Sequence, residues 1–211
     1  MKDEFWRRLQ GAALPDVFNP WGEIDAQDIE QLSANLHRVG NLTMHLAIEP
    51  RFILIGEAPG YRGCHFSGIP FTSEKQIFNH EVPYVARWGR ITTRARPWSE
   101  PSASIVWRQL RELKIVDQVI LWNAFPWHPF KADRGPLSNR TPTRAELMGN
   151  ADVLKMLLDE KNADGVRIVA VGNSADYTLR HLGIYPDRIV RHPSMGGARL
   201  FADQLARIVN E

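Results

Sequence analysis

Four short apolar runs punctuate the chain, and each gives way to a loop rich in Gly, Pro or Asn. They are Phe52–Ile55 (FILI), Val119–Trp122 (VILW), Arg167–Val171 (RIVAV) and the weaker Arg188–Val190 (RIV). Continuous apolar runs this short predict strands buried on both faces, as in a parallel sheet. Helical spacing fills the intervals. Residues 104–113 precede the second run, a segment from Thr143 to about Asn162 precedes the third, residues 174–182 precede the fourth, and 198–210 close the chain. Residues 1–45 read as a helical N-terminal part. Phe5, Trp6 and Leu9 recur at helical spacing over 3–12, and Ile29, Leu32, Leu36 and Val39 form one apolar face over 25–39, with Asp25 as N-cap and Gly40 as stop. Residues 57–103 predict mostly loop, apart from a helix near 73–80. Strand–helix alternation of this kind predicts a three-layer α/β/α sandwich around a short, mainly parallel four-stranded sheet. The expected organisation is one domain over 1–211, with 1–45 packed on it.

Composition narrows the classes. At 211 residues, 44% hydrophobic and 24% charged, the chain reads as globular, and no apolar run reaches the roughly 18–20 residues of a membrane helix. The opening MKDEFWRRL mixes charges where a secretory signal needs an apolar core, which predicts a cytoplasmic protein. A single cysteine, Cys64, excludes an internal disulfide and any iron–sulfur or Cys-rich zinc site ligated by this chain alone. The seven histidines form no HxxxH pair or visible ligand cluster, so neither metal nor cofactor is expected. The 26 basic residues comprise 20 Arg and 6 Lys against a net charge of +2. Arginine suits phosphate contact and base stacking, but GC-rich codon usage produces the same bias, so placement matters more than number.

In an open parallel sheet, ligands bind beyond the carboxyl ends of the strands. The residues at those ends are Gly56-Glu57-Ala58-Pro59-Gly60, Asn123, Gly172-Asn173-Ser174-Ala175 and Arg191-His192-Pro193-Ser194. They bring a carboxylate, a carboxamide, a histidine and two flexible turns to one edge. Taken singly each reads as ordinary structure: a turn, a helix cap, a surface histidine. Thr143-Arg144-Ala145-Glu146 reads as a capping box.

As a set, GEAPG, Gly68-Ile69-Pro70-Phe71, the strand-ending Asn123, Asn139-Arg140-Thr141-Pro142-Thr143 and His192-Pro193-Ser194 resemble the uracil-DNA glycosylase superfamily. The order and rough spacing match from about residue 52 to 200, nearest to the thermostable, iron–sulfur-containing family four. The resemblance implies an enzyme that flips a nucleotide out of DNA and hydrolyses its N-glycosidic bond in base excision repair. Phe71 would stack on the base and Asn123 would read uracil's N3–H and O4. His192 would stabilise the charge gathering at O2, and Glu57 with the Gly56, Ala58, Pro59 and Gly60 backbone would orient water. No lysine stands at the motif positions, which implies water as nucleophile and a monofunctional enzyme.

The departures from the family pattern are specific. The four cluster cysteines of family four are absent, and the stretch after Asn123 is Ala124-Phe125-Pro126-Trp127-His128, so ordinary packing must replace the cluster. Position 58 is Ala where the most efficient family has a catalytic Asp, and position 60 is Gly where it has a Tyr that excludes thymine's methyl group; Tyr61 is the local substitute.

For DNA contact, residues 84–98 (YVARWGRITTRARPW) interleave four arginines with three aromatics. This suits phosphate contact through Arg90, Arg94 and Arg96 somewhat better than the alternative, a solvated loop anchored by Trp88 and Trp98. Met195 is placed to wedge into the base stack with Arg199 nearby, Ser174 and Ser194 are phosphate donors, and Arg140 either contacts phosphate or braces its loop. The expected substrate is uracil in single- or double-stranded DNA, with related deaminated or oxidised bases, acted on by a monomer. Two alternatives are a non-catalytic binding module of the same fold for damaged or single-stranded DNA, and a nucleoside or nucleotide N-glycosidic hydrolase.

Overall fold

The computed structural model describes residues 1–85 and 89–211; Arg87 and Trp88 of the basic–aromatic stretch lie outside the described residues. The elements run α1 (Asp3–Gln10), β1 (Val17–Phe18), α2 (Ala34–Leu46), β2 (Phe52–Gly56), α3 (Cys64–Ser67), α4 (Glu74–Phe78), α5 (Pro101–Glu112), β3 (Val119–Asn123), β4 (His128–Pro129), α6 (Arg144–Gly149), α7 (Ala151–Lys161), β5 (Arg167–Val171), α8 (Asn173–His181), β6 (Arg188–Val190) and α9 (Ala198–Asn210). Strands pair in the order β3-β2-β5-β6, all parallel, which is the expected four-stranded sheet. A two-stranded antiparallel pair, β1 with β4, stands apart from it.

The strand runs are apolar throughout because both faces are covered. Ile53, Ile55, Ile120, Trp122, Ile168 and Ala170 face one apolar layer, which includes Phe5 and Leu9 of α1, Leu42 and Leu46 of α2 and Leu154 of α7. Phe52, Leu54, Val119, Leu121, Val169 and Val171 face the other, with Trp107 of α5 and Phe201 of α9. Side chains alternate across a strand, so each five-residue run feeds both layers. Only β6 departs, with Arg188 and Ile189 exposed on the sheet edge. β3 lies on one side of β2 and β5 on the other, so the order in which strands are added across the sheet reverses between β2 and β5. Such a reversal opens a crevice at the carboxyl ends of those strands.

Three expectations are corrected. The helix expected over 25–39 starts only at Ala34 and runs to Leu46, so Gly40 lies within it rather than ending it. Leu32 and Leu36, expected on its buried face, are 93% and 59% exposed. A polar anchor sets the rotation instead: buried Arg38 donates to both carboxylate oxygens of Asp28, at 2.9 and 3.0 Å, and to the carbonyls of Pro20 and Glu23. Asp25 is buried well before the helix and accepts from the Gln27 N–H at 2.7 Å. The single helical segment expected over 143–162 breaks at Asn150, whose side-chain amide donates to the Glu146 carbonyl and accepts from Arg8. The expected capping box at Thr143 and Glu146 is formed in both directions.

His45 ties α2 to the sheet. The Leu121 N–H donates to its Nε2 at 2.8 Å, and its Nδ1–H donates to the Tyr84 hydroxyl at 2.8 Å. Burial pushes its pKa down from 6.5 to about 4, against the Leu121 carbonyl, 3.1 Å from Nε2, which raises it. The unfolded chain therefore takes up this proton near pH 6.5 and the folded chain only near 4. Stability is full above pH 6.5 and falls on acidification toward 4, by about 3 kcal/mol for this group. Urea midpoints between pH 7 and 4.5 check this. His45→Gln should flatten the fall, and an unchanged slope in that variant would contradict it.

Candidate active site at the carboxyl edge of the sheet

The last residues of β2 and β3, Gly56 and Asn123, are register partners. Gly56 is required by close approach: a Cβ there would lie 2.3 Å from Cζ of Phe71 and 2.7 Å from Oδ1 of Asn123. The Phe71 ring thus packs into the space that Gly56 leaves, beside the Asn123 amide. Phe71 itself sits at φ +52, a left-handed conformation that costs a bulky residue energy and persists only where its surroundings fix it. They do so here. Gly68, at φ +74, lets the loop approach α2 so closely that a Cβ would lie 2.6 Å from the Arg38 Cβ. The Trp21 indole donates to the Gly68 carbonyl at 3.1 Å, and the Trp107 indole to the Thr72 hydroxyl at 2.9 Å. Asn123 is 2% exposed, and its Nδ2 has no hydrogen-bond partner among the described residues. An unpaired buried donor is costly, and most buried polar groups avoid it.

His192 is 5.9 Å from Phe71, ring centre to ring centre. The Ser194 backbone N–H donates to its Nδ1 at 3.2 Å, and the Ser194 hydroxyl lies 2.7 Å from the same atom. A backbone N–H can only donate, so Nδ1 accepts and the neutral ring carries its proton on Nε2. Burial lowers the His192 pKa, opposed by the Glu57 charge and reinforced by Arg191, which favours that neutral form. Glu57 is oriented too: the Ser174 hydroxyl donates to its Oε2 at 2.5 Å, across the point where the strand order reverses between β2 and β5. Its backbone is fixed by the Phe125 N–H, which donates to the Glu57 carbonyl at 2.9 Å.

Two open cavities of about 690 Å³ each meet at these groups, and both are lined by Glu57, His192 and Ser194. One extends over Gly172, Ser174, Arg191 and Gln204. The other extends over Ala58, Pro59, Gly60, Tyr61, Asn139 and Met195. Phe71 and Asn123 are not among the lining residues of either; both are buried next to Gly56. Glu100, Arg191 and Asn139 belong to the site and carried no assigned role in the sequence. Glu100 is a single acid ahead of a helix and resembles any N-terminal flank, yet its carboxyl fills the space left by Gly63 and accepts from the Ser102 hydroxyl. Burial pushes that carboxyl up, against the Ser102 hydrogen bond.

The residues expected to touch DNA divide. Met195 is 91% exposed on the cavity rim, and Arg199, Arg94 and Arg96 are exposed, with Arg94 stacked over Trp98 at 3.6 Å. Arg90 turns inward instead: it donates to the Thr92 and Ala95 carbonyls and pairs with Glu74 at 3.6 Å. Arg140 takes the bracing alternative, bidentate to Glu146 at 2.7 and 2.8 Å and donating to the Phe130 and Asp16 carbonyls. The hydroxyls of Ser174 and Ser194, expected at phosphate, meet Glu57 and His192.

Residues 44–205 match the family model described as the uracil DNA glycosylase superfamily. The chain belongs to this superfamily. The crystal structure of wild-type Pedobacter heparinus SMUG2 shares the fold, with a TM-score of 0.61 at 15% identity over 98% of this chain and 97% of that one. No curated protein sequence matches the chain. As a uracil DNA glycosylase superfamily member, the protein falls in a class that hydrolyses N-glycosyl bonds of bases in DNA. The iron–sulfur cluster of family four does not fit this member. Its one cysteine, Cys64, is buried in the core, and burial pushes the thiol well above its ordinary pKa. The stretch after Asn123 is packed hydrocarbon instead. Phe125 and Trp127 meet edge to face at 5.5 Å, and the Trp127 indole donates to the Leu9 carbonyl.

The orphan Asn123 amide has a stability consequence. Asn123→Leu, of similar size, removes an unsatisfied donor and should raise the urea-unfolding free energy by about 1–2 kcal/mol. A loss of that size would mean the amide is paired in the free protein.

Proposed function

We propose that this superfamily member excises uracil, and related deaminated or oxidised bases, from DNA by monofunctional, water-dependent hydrolysis in base repair. One observation carries the reading: a buried carboxamide, Asn123, has an Nδ2 unpaired among the described residues, beside an aromatic ring held in a left-handed conformation. A polar group is kept unsatisfied at that cost where a ligand completes it. Uracil fits, because its O4 accepts from Nδ2 while its N3–H donates to Oδ1; cytosine presents the inverse pattern. Phe71 stacks on the flipped base.

As the glycosidic bond lengthens, the electron pair moves onto uracil and charge gathers at O2. His192, with its proton on Nε2, donates there. The sugar becomes oxocarbenium-like, and Glu57, fixed by Ser174, orients the water that attacks it and stabilises the positive charge. No lysine lines either cavity, which supports water rather than an amine as nucleophile. The GEAPG, GIPF, NRTPT and HPS set supports a likeness to family four, with Phe125 and Trp127 packed in the stretch where that branch carries a cluster cysteine. The exposed Met195 tip and Arg94, Arg96 and Arg199 are the groups assigned to DNA.

The test is a labelled single-stranded oligonucleotide with one uracil, treated with protein and then alkali. Cleavage is expected at uracil and not at thymine, and it should be abolished by Asn123→Ala. His192→Ala should lower kcat by about 10²–10³-fold, the usual cost of losing a transition-state donor. An Asn123→Ala protein with full activity would overturn the assignment. DNA binding without any abasic product, on uracil, hypoxanthine, xanthine or 5-substituted uracils, would favour a binding module.

A further inference from the structure

A line of buried polar groups leads from the N-terminal region to the cavity and has no part in the chemistry above. Asp25 Oδ2 lies 3.1 Å from His65 Nε2, and His65 Nδ1 lies 2.9 Å from His128 Nδ1. His128 Nε2 lies 2.9 Å from the Ser138 carbonyl and 3.1 Å from Asn139 Oδ1. That same Oδ1 accepts from the Tyr61 N–H at 2.9 Å. Asp25, His65 and His128 are all buried, and Phe18 stacks flat on His65 at 3.8 Å, closing the line to water. The charged neighbours are Asp28 and Arg38, paired with each other beside Asp25.

The last link fixes the direction of every other. The Ser138 carbonyl can only accept, so His128 carries its proton on Nε2. Burial and the neighbouring His65 hold His128 neutral, with a pKa of about 3, so its Nδ1 is bare and His65 Nδ1 must donate to it. His65 Nε2 then faces a carboxyl group, and two bare acceptors cannot meet at 3.1 Å in a buried site. One proton therefore lies between Asp25 and His65. At the other end, two donors occupy Asn139 Oδ1, which leaves only its NH₂ to offer. That Nδ2 lies 3.4 Å from the position a Cβ on Gly60 would take, on the wall of the cavity shared with Glu57 and His192.

We propose that Asn139 is a further substrate-contacting donor of this site, and that Asp25, His65 and His128 are positioning residues that keep its NH₂ turned to the cavity. The ligand group is an acceptor oxygen of the flipped nucleotide, on the base or on its backbone. This rests on the glycosylase reading.

The test has an arm that needs no activity. In the full chain labelled with ¹⁵N-histidine, NMR should show His128 protonated at Nε2 with bare Nδ1, and His65 protonated at Nδ1. His128 protonated at Nδ1 would overturn the positioning chain. In the uracil assay, Asn139→Ala at the exposed end should lower kcat/KM at least ten-fold. Asp25→Asn should stay near the parent, since its amide can donate to His65 Nε2 and keep the direction, whereas Asp25→Leu should lose activity and the His65 tautomer together. Asn139→Ala at full activity would overturn its role. Binding of free uracil and of tetrahydrofuran-containing DNA separates the sources: the former weakens in Asn139→Ala if the base supplies the oxygen, the latter if the backbone does. A parent chain that excises no base would fail the glycosylase reading alone, with the tautomers still deciding the chain.

Discussion

The missing side chain of Gly56 is the constraint on which the site depends. It lies at the end of β2, opposite Asn123 at the end of β3, and a Cβ there would collide with both Phe71 and the Asn123 amide. Parallel register brings the strand ends together, but only the empty space at Gly56 allows a ring from a distant loop to settle against that amide. The rest of the arrangement follows from holding the ring there. Gly68 lets the loop press on α2, Trp21 and Trp107 pin its backbone and side chains, and Arg38 fixes the rotation of α2 through Asp28.

Several destabilising features stand at this edge. An aromatic residue at positive φ, an unpaired buried amide and a buried carboxyl at Glu100 all border it. Two apolar layers, one on each face of the sheet, offset them. Strain and unsatisfied groups persist where the surrounding packing over-determines them, and such sites tend to be functional. The serines show a similar economy of roles. Ser174 in the first turn of α8 and Ser194 in the loop after β6 line the cavity, yet their hydroxyls turn to Glu57 and His192.

The strands were legible because their burial is uniform: FILI, VILW and RIVAV have no polar residue to blur the pattern except at their ends. Glu57, Asn123 and His192 were legible for the same reason, since a strand end is a defined place and a ligand edge follows from topology. The rotation of α2 was not, because a buried guanidinium rather than an apolar stripe sets it; Leu32 and Leu36 mimic a face that water covers. The inward turns of Arg90 and Arg140 depend on Glu74 and Glu146, partners that a count of arginines cannot reveal. The Asp25–His65–His128 line joins residues far apart in sequence, from the loop before α2, from α3 and from β4, segments too short or irregular to carry a period. Asn139 stood within a motif, but its two roles depend on which of its atoms meets Tyr61 and His128.

Everything proposed for the pocket turns on the Asn123 amide reading a uracil edge. Side-chain ¹⁵N NMR during titration with free base tests it most directly, using His192 resonances as the sign that the site is filled. The Asn123 Nδ2 proton pair should shift with uracil and not with cytosine. An amide that stays still while His192 responds to uracil, or that moves equally with both bases, would contradict it.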